Sequence, residues 1–496
     1  MTDPAKTSRN FIGGAWVAAA SGATFDSTEP ATGDHVGTFP RSSVADVDRA
    51  VEAAHDAWAS WRLVPAPKRA EVLYRFAALL GERKPELAEL MSREMGKVLV
   101  EAGGDVQEAI DMSLYMAGEG RRLFGQTTPS ELPDKFNMSV RLPVGVVGAI
   151  TPWNFPIAIP AWKLAPALVC GNTVVLKPAE DTPLLAARFV ELLVEAGVPA
   201  GVVNLVHGYG EEAGDRLVRH PDVPIITFTG SRETGIAVTK AAADGLKHVH
   251  LELGGKNAII VMDDADLDLA VEGIIWSAFG TTGQRCTAAS RVIVHEAVYG
   301  ALQSRLVAVT EQLRLGPGWE PGVDVGPLIN RAALDKVHSY TAVGVGEGAT
   351  LLTGGEPATA GDLARGFFYL PTIFADVDPG MRIAQEEIFG PTLSLLPVKG
   401  FDEAIRAANG IRYGLSSSIF TRDVNRAFRA MRDLQTGITY VNAGTTGAEV
   451  HLPFGGTKDT GNGHREAGQA ALDVFTEWKS LYIDYSGRLQ RAQIDN

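Results

Sequence analysis

Cys286 lies in the run Gly283-Gln-Arg-Cys-Thr-Ala-Ala-Ser-Arg291, among small polar residues and directly after Arg285. Only the thiolate form of a cysteine attacks carbon, and a neighbouring cation favours that form, so Cys286 is a candidate nucleophile. The chain has 2 cysteines. The other, Cys170, stands in Ala-Leu-Val-Cys-Gly-Asn and reads as core. Two cysteines so far apart fit neither a disulfide framework nor a metal cage. Upstream, Leu251-Glu-Leu-Gly-Gly-Lys-Asn257 places the carboxylate Glu252 at the end of an apolar run. A carboxylate there is costly unless it is paired or used. Together the two residues suggest covalent catalysis with a separate base.

The elements that must position them are legible as patterns. An opening segment to about residue 42 has turn signals at Gly13-Gly14 and Glu29-Pro-Ala-Thr-Gly33. Apolar residues three and four apart then predict helices through Ala50–Trp58, Ala70–Leu80 and Glu86–Met95. From Arg141 the chain changes to short apolar runs, Val144–Ile150, Thr173–Leu176, Val202–Val206 and Ile225–Phe228, with a helical stretch at Thr182–Ala196. That alternation is the signature of βαβ units and a parallel sheet. A second set follows Cys286: Arg291–Val294, a helix at Val298–Leu313, and strands near Tyr369, Leu393 and Ser416–Phe420. The fold class is α/β, with two α/β domains in tandem meeting near residue 256. Phe136–Leu142 and Trp478–Tyr485 alternate like exposed strands and fit neither domain. Exposed strands are usually paired, so they are expected to form a small sheet at a subunit contact.

The 496-residue chain carries a net charge of −14, is 45% hydrophobic and 21% charged, and spreads 54 glycines and 27 prolines along its length. An acidic balance without clustered Lys and Arg argues against a nucleic-acid surface. No run reaches the ~18 apolar residues of a membrane span, and the first ten residues lack the apolar core of a signal peptide. A cytoplasmic enzyme is the expectation. The 10 histidines show no metal-ligand spacing. No metal is expected.

A nucleotide domain usually announces itself by Gly-x-Gly-x-x-Gly after its first strand. Two looser turns stand here instead: Gly208-Tyr-Gly210-Glu-Glu-Ala-Gly214, and Phe228-Thr229-Gly230-Ser231 running on to Thr234 and Gly235. Each is strand, glycine turn, helix, which aims backbone N–H groups and a helix N-terminus at an anion. The strand Thr173–Leu176 ends in Lys177-Pro-Ala-Glu180. Lys177 and Glu180 suit ribose hydroxyls, and Glu180 would repel a 2′-phosphate, which favours NAD over NADP.

Seven motifs occur in order: Thr151-Pro-Trp-Asn-Phe-Pro156, Leu176-Lys-Pro-Ala-Glu180, Phe228-Thr-Gly-Ser231, Leu251-Glu-Leu-Gly-Gly255, Gly283-Gln-Arg-Cys286, Glu386-Glu-Ile-Phe-Gly-Pro391 and Pro453-Phe-Gly-Gly456. From Phe11 to Tyr485 the chain resembles the aldehyde dehydrogenase superfamily. The resemblance implies a Rossmann-like NAD-binding domain over 1–127 and 145–255, a catalytic domain over 256–455, and an oligomerisation element from 128–144 and 470–496. A homodimer or homotetramer follows. By motif, Cys286 becomes the nucleophile, Glu252 the general base and Asn154 the oxyanion donor, with Lys177 counted both there and with the cofactor. The implied cofactor residues are Ile150, Thr151, Pro152, Trp153, Lys177, Ala179, Glu180, Gly210, Gly214, Phe228, Thr229, Gly230, Ser231, Thr234, Leu253, Gly254, Glu387 and Phe389. The implied reaction is NAD-dependent oxidation of an aldehyde to the acid through a thiohemiacetal and a thioester, NADP being the alternative acceptor. A CoA-acylating enzyme and a non-catalytic, crystallin-like protein are the rival readings.

The tail Gly444-Thr-Thr-Gly-Ala-Glu-Val-His-Leu-Pro-Phe454, with Thr460–Gly468, resembles the branch acting on α-aminoadipic or 2-oxoglutarate semialdehydes. Trp153 and Pro178-Ala179 follow the general pattern instead. The substrate expectation is therefore an aldehyde, with a carboxylate-bearing semialdehyde as its narrower form. Arg285, Thr446, Gly447, Ala448 and Phe454 are the candidate substrate contacts.

Overall fold

A computed structural model describes residues 8–495; Met1–Thr7 and Asn496, at the ends of the expected first and last segments, lie outside the described residues. Two seven-stranded sheets carry the architecture. The first contains β1 (Val146–Ile150), β2 (Thr173–Lys177), β3 (Val203–Leu205), β4 (Ile225–Thr229) and β5 (His248–Glu252), in the spatial order β5-β4-β1-β2-β3. These five are parallel, and Asn10–Ile12 and Ala15–Val17 extend the sheet antiparallel beyond β3. Every residue of β1 and β2 is buried, as expected of a parallel sheet covered on both faces. The chain builds β1, β2 and β3 outward in one direction and then returns to lay β4 on the other side of β1. That reversal opens a crevice at the carboxyl ends of β1 and β4, the place where open α/β sheets bind ligands.

The second sheet holds β6 (Asn257–Val261), β7 (Ala289–His295), β8 (Thr372–Ala375), β9 (Thr392–Val398), β10 (Ser416–Phe420) and β11 (Ile438–Val441), ordered β8-β9-β7-β6-β10-β11. These six are parallel, with Thr350–Thr353 antiparallel at the β8 edge. Only four residues separate β5 from β6, and the chain changes sheet between them. Trp478–Tyr485 and Phe136–Leu142 do pair: Thr476–Asp484 runs antiparallel to Lys135–Pro143, which also pairs with Gln126–Pro129.

Sequence and structure part at three points. Helix α1 (Leu99–Glu119) follows the predicted helix Glu86–Met95 and was not expected. Its buried stripe of Ala102, Val106, Ala109, Met112 and Met116 is broken to the eye by Gly103-Gly104, two poor helix formers. Helix α2 (Ala158–Cys170) was hidden by its prolines. Pro160 falls in the first turn, where no intrahelical N–H is needed, and only Pro166 is internal. Near Tyr369 the strand proper begins at Thr372; Tyr369 contributes only an isolated bridge to Pro357.

Helices α3 (Pro183–Glu195), α4 (Arg232–Ala243) and α5 (Leu267–Phe279) complete the frame. Asp105 ties α1 to α2. One carboxylate oxygen accepts from the Ala158 N–H at 2.7 Å and the other pairs with the Lys97 ammonium at 2.8 Å, both side chains being fully buried. Removing one partner of such a pair strands the other charge. Asp105→Ala is therefore expected to cost about 3 to 5 kcal/mol, read as a drop in melting temperature. A double Lys97→Met, Asp105→Leu replacement should recover most of the loss.

Candidate active site

Helix α5 starts on Asp266, whose carboxylate accepts from the N–H groups of Asp268 and Leu269. It ends in the tight turn Gly280–Gly283, and the chain then delivers Arg285 and Cys286. Thr281, Thr282 and Gly283 have φ of 51°, 58° and 69°. Glycine is required at 283, where an added Cβ would lie 2.2 Å from the Gly390 carbonyl oxygen. Two successive β-branched residues in the left-handed region are held there only by the surrounding structure.

Cys286 lines two cavities. The first, of about 410 Å³, is bounded by Glu252, Arg285, Thr446, Gly447, Ala448 and Phe454, with Phe155, Trp162, Glu101, Glu108 and Glu466 among its other walls. The second, of about 200 Å³, is the crevice at the β1/β4 reversal, lined by Pro152, Trp153, Asn154, Thr229, Gly230, Ser231, Leu253, Gly254, Glu387 and Phe389. The expected nucleophile, base and oxyanion donor therefore share one neighbourhood. Asn154 is buried and its amide donates to the Gln284 carbonyl at 3.0 Å, leaving one amide hydrogen for another acceptor. The Cys286 carbonyl accepts from the Asn257 amide at 2.7 Å.

Burial pushes the Cys286 thiol up to about 12, and the carboxylates of Glu252 and Glu387 add to the shift. Arg285 does not yield a ready thiolate, because its guanidinium is engaged elsewhere. It donates from Nε to the Thr281 hydroxyl at 2.9 Å and lies 3.3 Å from Glu101, between the rings of Trp276 and Phe155. Glu252 ends β5 with Oε2 unpartnered among protein groups. Burial, then the Glu466 carboxylate, hold it well above the usual carboxylate range, against the opposing pull of Lys163 and Arg465. Lys163, on α2, bonds both Glu466 and the Thr227 hydroxyl.

The cofactor candidates divide. Nine of them line the crevice, with Trp153 edge-on to Phe389 at 5.6 Å. Ser231 caps α4, accepting from the Thr234 N–H at 3.2 Å, so a helix N-terminus opens beside the crevice. Lys177 and Glu180 pair at 3.2 Å at the end of β2, with Gly214 against the Lys177 stem. Thr151 donates its N–H to the Lys177 carbonyl, while Ile150 and Phe228 are buried strand residues. Lys177, Ala179, Gly210 and Gly214 line neither cavity at Cys286, and the structure groups Lys177 with Glu180 rather than with the thiol. A crevice at a sheet reversal, with a helix N-terminus at one side and a Lys–Glu pair further along, fits a dinucleotide.

Sequence reading missed Lys163 and Glu466, which set the state of Glu252, and Glu101 and Glu108 on α1. Glu108 faces the larger cavity, its acid pushed up to about 8 by burial and then by Asp105. Acids at a helical spacing on an unrecognised helix gave no separate signal. Among the described residues no group of His, Cys, Asp and Glu could hold a metal ion, and no helix is long and apolar enough to cross a membrane.

For the free protein, the raised thiol predicts a labelling rate with iodoacetamide that is low at neutral pH and keeps climbing as pH rises. Rates of Cys286 modification measured by mass spectrometry across pH would check this. A plateau near neutrality would mean a preformed thiolate.

Comparison with known proteins agrees with the geometry. The sequence profile of the Aldehyde dehydrogenase family matches residues 16–481. The chain is 44% identical over 476 residues to alpha-ketoglutaric semialdehyde dehydrogenase of Bacillus subtilis, covering 96% of this chain and 97% of that one. It is 42% identical to alpha-ketoglutarate semialdehyde dehydrogenase of Haloferax volcanii, over 98% of this chain and 100% of the relative. The crystal structure of betaine aldehyde dehydrogenase from Staphylococcus aureus in complex with NAD+ superposes with a TM-score of 0.95 at 35% identity, over 97% of this chain and 96% of that chain. With a matched profile over nearly its whole length and a fold shared to this degree, the chain is an enzyme of the aldehyde dehydrogenase family.

Proposed function

We propose that the enzyme oxidises a carboxylate-bearing semialdehyde to the corresponding diacid, with NAD as acceptor. The observation that carries the reading is one cavity in which a thiol, a buried carboxylate of raised pKa and a guanidinium occur together. The relatives named for alpha-ketoglutaric semialdehyde support it, as does a glutarate-semialdehyde dehydrogenase of Pseudomonas putida at 41% identity over 95% of this chain.

The Cys286 thiol gives up its proton to solvent water, the resulting thiolate adds to the aldehyde carbon, and the carbonyl oxygen takes up negative charge. The free amide hydrogen of Asn154 would donate to that oxygen; losing one such donor typically raises the barrier by roughly 3 to 4 kcal/mol. Pro152, Trp153, Gly230, Ser231, Glu387 and Phe389 would hold the nicotinamide half of the dinucleotide, with Lys177 and Glu180 at the adenosine ribose. When bound, the dinucleotide supplies the hydride acceptor that leaves a thioester on Cys286. Glu252 then takes a proton from water as the water attacks the thioester carbonyl; the C–S bond breaks and the sulfur leaves as thiolate. Arg285 and the Thr446–Ala448 loop would anchor the substrate's carboxylate; the Thr446 hydroxyl is buried there without a protein partner. Residues 128–144 and 470–496 would join subunits of a cytoplasmic homo-oligomer, and 1–127 with 145–255 would form the NAD-binding domain ahead of the catalytic 256–455.

Hydrolysis needs Glu252 as the carboxylate, and its pKa is raised, so the deacylation rate should climb as pH rises through that elevated range. Glu252→Gln is expected to keep a stoichiometric burst of NADH while steady-state turnover falls at least a hundredfold and loses this pH limb. Unchanged steady-state oxidation would remove Glu252 from the role. Glu180 predicts a higher kcat/KM for NAD than for NADP, and the reverse order would contradict its placement at the ribose. Arg285→Gln should raise KM for succinic semialdehyde more than for butanal, its uncharged four-carbon counterpart.

A further inference from the structure

We propose that Glu101 is a positioning residue for substrate selection: it holds the Arg285 guanidinium in the orientation that meets an acidic aldehyde. The inference rests on the reading of Arg285 as the carboxylate anchor. Glu101 belongs to the first turn of α1, in the half of the molecule that carries the first sheet, while Arg285 arrives from the second. Its side chain is 2% exposed and that of Arg285 10%. Each carboxylate oxygen has a separate task. Oε2 accepts from the Thr281 N–H at 2.7 Å and from the Thr281 hydroxyl at 2.8 Å. Oε1 lies 3.3 Å from an Arg285 terminal nitrogen. The Thr281 hydroxyl closes the loop by accepting from Arg285 Nε at 2.9 Å.

Two of the three guanidinium nitrogens are thereby fixed on one edge, and the remaining terminal nitrogen is left for a ligand in the cavity that Arg285 lines. Thr281 is itself in the left-handed region, so the bonds from Glu101 also hold the strained turn from which Arg285 projects. The rings of Trp276 and Phe155 limit sideways motion but are indifferent to rotation of the guanidinium in its plane. Among the described residues, Glu101 and Thr281 set that rotation. Nearby Lys97 cannot substitute for Arg285, because its ammonium is committed to Asp105.

Glu101→Gln separates the two tasks. The amide oxygen still accepts from Thr281, whereas the amide nitrogen now presents hydrogens to a guanidinium that has only hydrogens to offer. Steady-state kinetics of wild type, Glu101→Gln, Thr281→Val and Arg285→Gln would be compared on succinic semialdehyde and butanal. In Glu101→Gln the ratio of kcat/KM for the acidic over the uncharged aldehyde is expected to fall roughly tenfold, mainly through KM of the acidic aldehyde. An unchanged ratio, including an equal loss on both aldehydes, overturns the proposal. If Glu101→Gln does not fold, Thr281→Val, which removes the bridging hydroxyl, decides by the same criterion. If Arg285→Gln leaves the ratio untouched, the carboxylate-anchor reading itself fails, whichever way Glu101→Gln falls.

Discussion

The bond from the Asn154 amide to the Gln284 carbonyl joins the two halves of this enzyme at the point where chemistry must occur. Asn154 follows β1 of the first sheet, and Gln284 precedes Cys286, which leads into β7 of the second. A 3.0 Å contact between residues 130 positions apart leaves little freedom for the two sheets to shift without separating the Cys286 thiol from the Asn154 amide. Everything else at the site is arranged around this junction: the β1/β4 reversal opens on one side of it, and the cavity holding Arg285 and Glu252 on the other.

Electrostatics at the junction are deliberately unfavourable to charge. Glu252, Glu466, Glu387 and Glu108 crowd a largely apolar cleft, and burial raises the acids at 252, 387 and 108. The same surroundings push the thiol up. A site of this kind disfavours charge on both the thiol and the Glu252 carboxyl until ligands change the local field. That property suits a base that must wait for water while an acyl group occupies the sulfur.

Much of this was legible in the sequence because local chemistry wrote it there. Cys286, Glu252 and Asn154 sit in motifs whose residue types are needed by one reaction, and the parallel strands are short apolar runs at βαβ spacing. What was not legible lay on elements whose local signal is poor. Helix α1 contains paired glycines and α2 contains prolines, so their stripes of polar residues could not be read as faces. Lys163, Asp105, Glu101 and Glu466 each bond a partner from 53 to 303 positions away, Asp105 holding Lys97 as well. Spacing within a segment carries no trace of such partnerships. Lys177 ends a parallel strand, as its apolar run suggests, and lies outside both cavities lined by Cys286.

The turn at Thr281–Gly283 has a bearing on how the chain comes into being. Its backbone shape is unfavourable in isolation, and its main restraint arrives from a helix made 180 residues earlier. During synthesis the turn therefore emerges unable to hold its shape on its own. Cys286 meets Asn154 and Glu252 in their final arrangement only when both halves have closed around it.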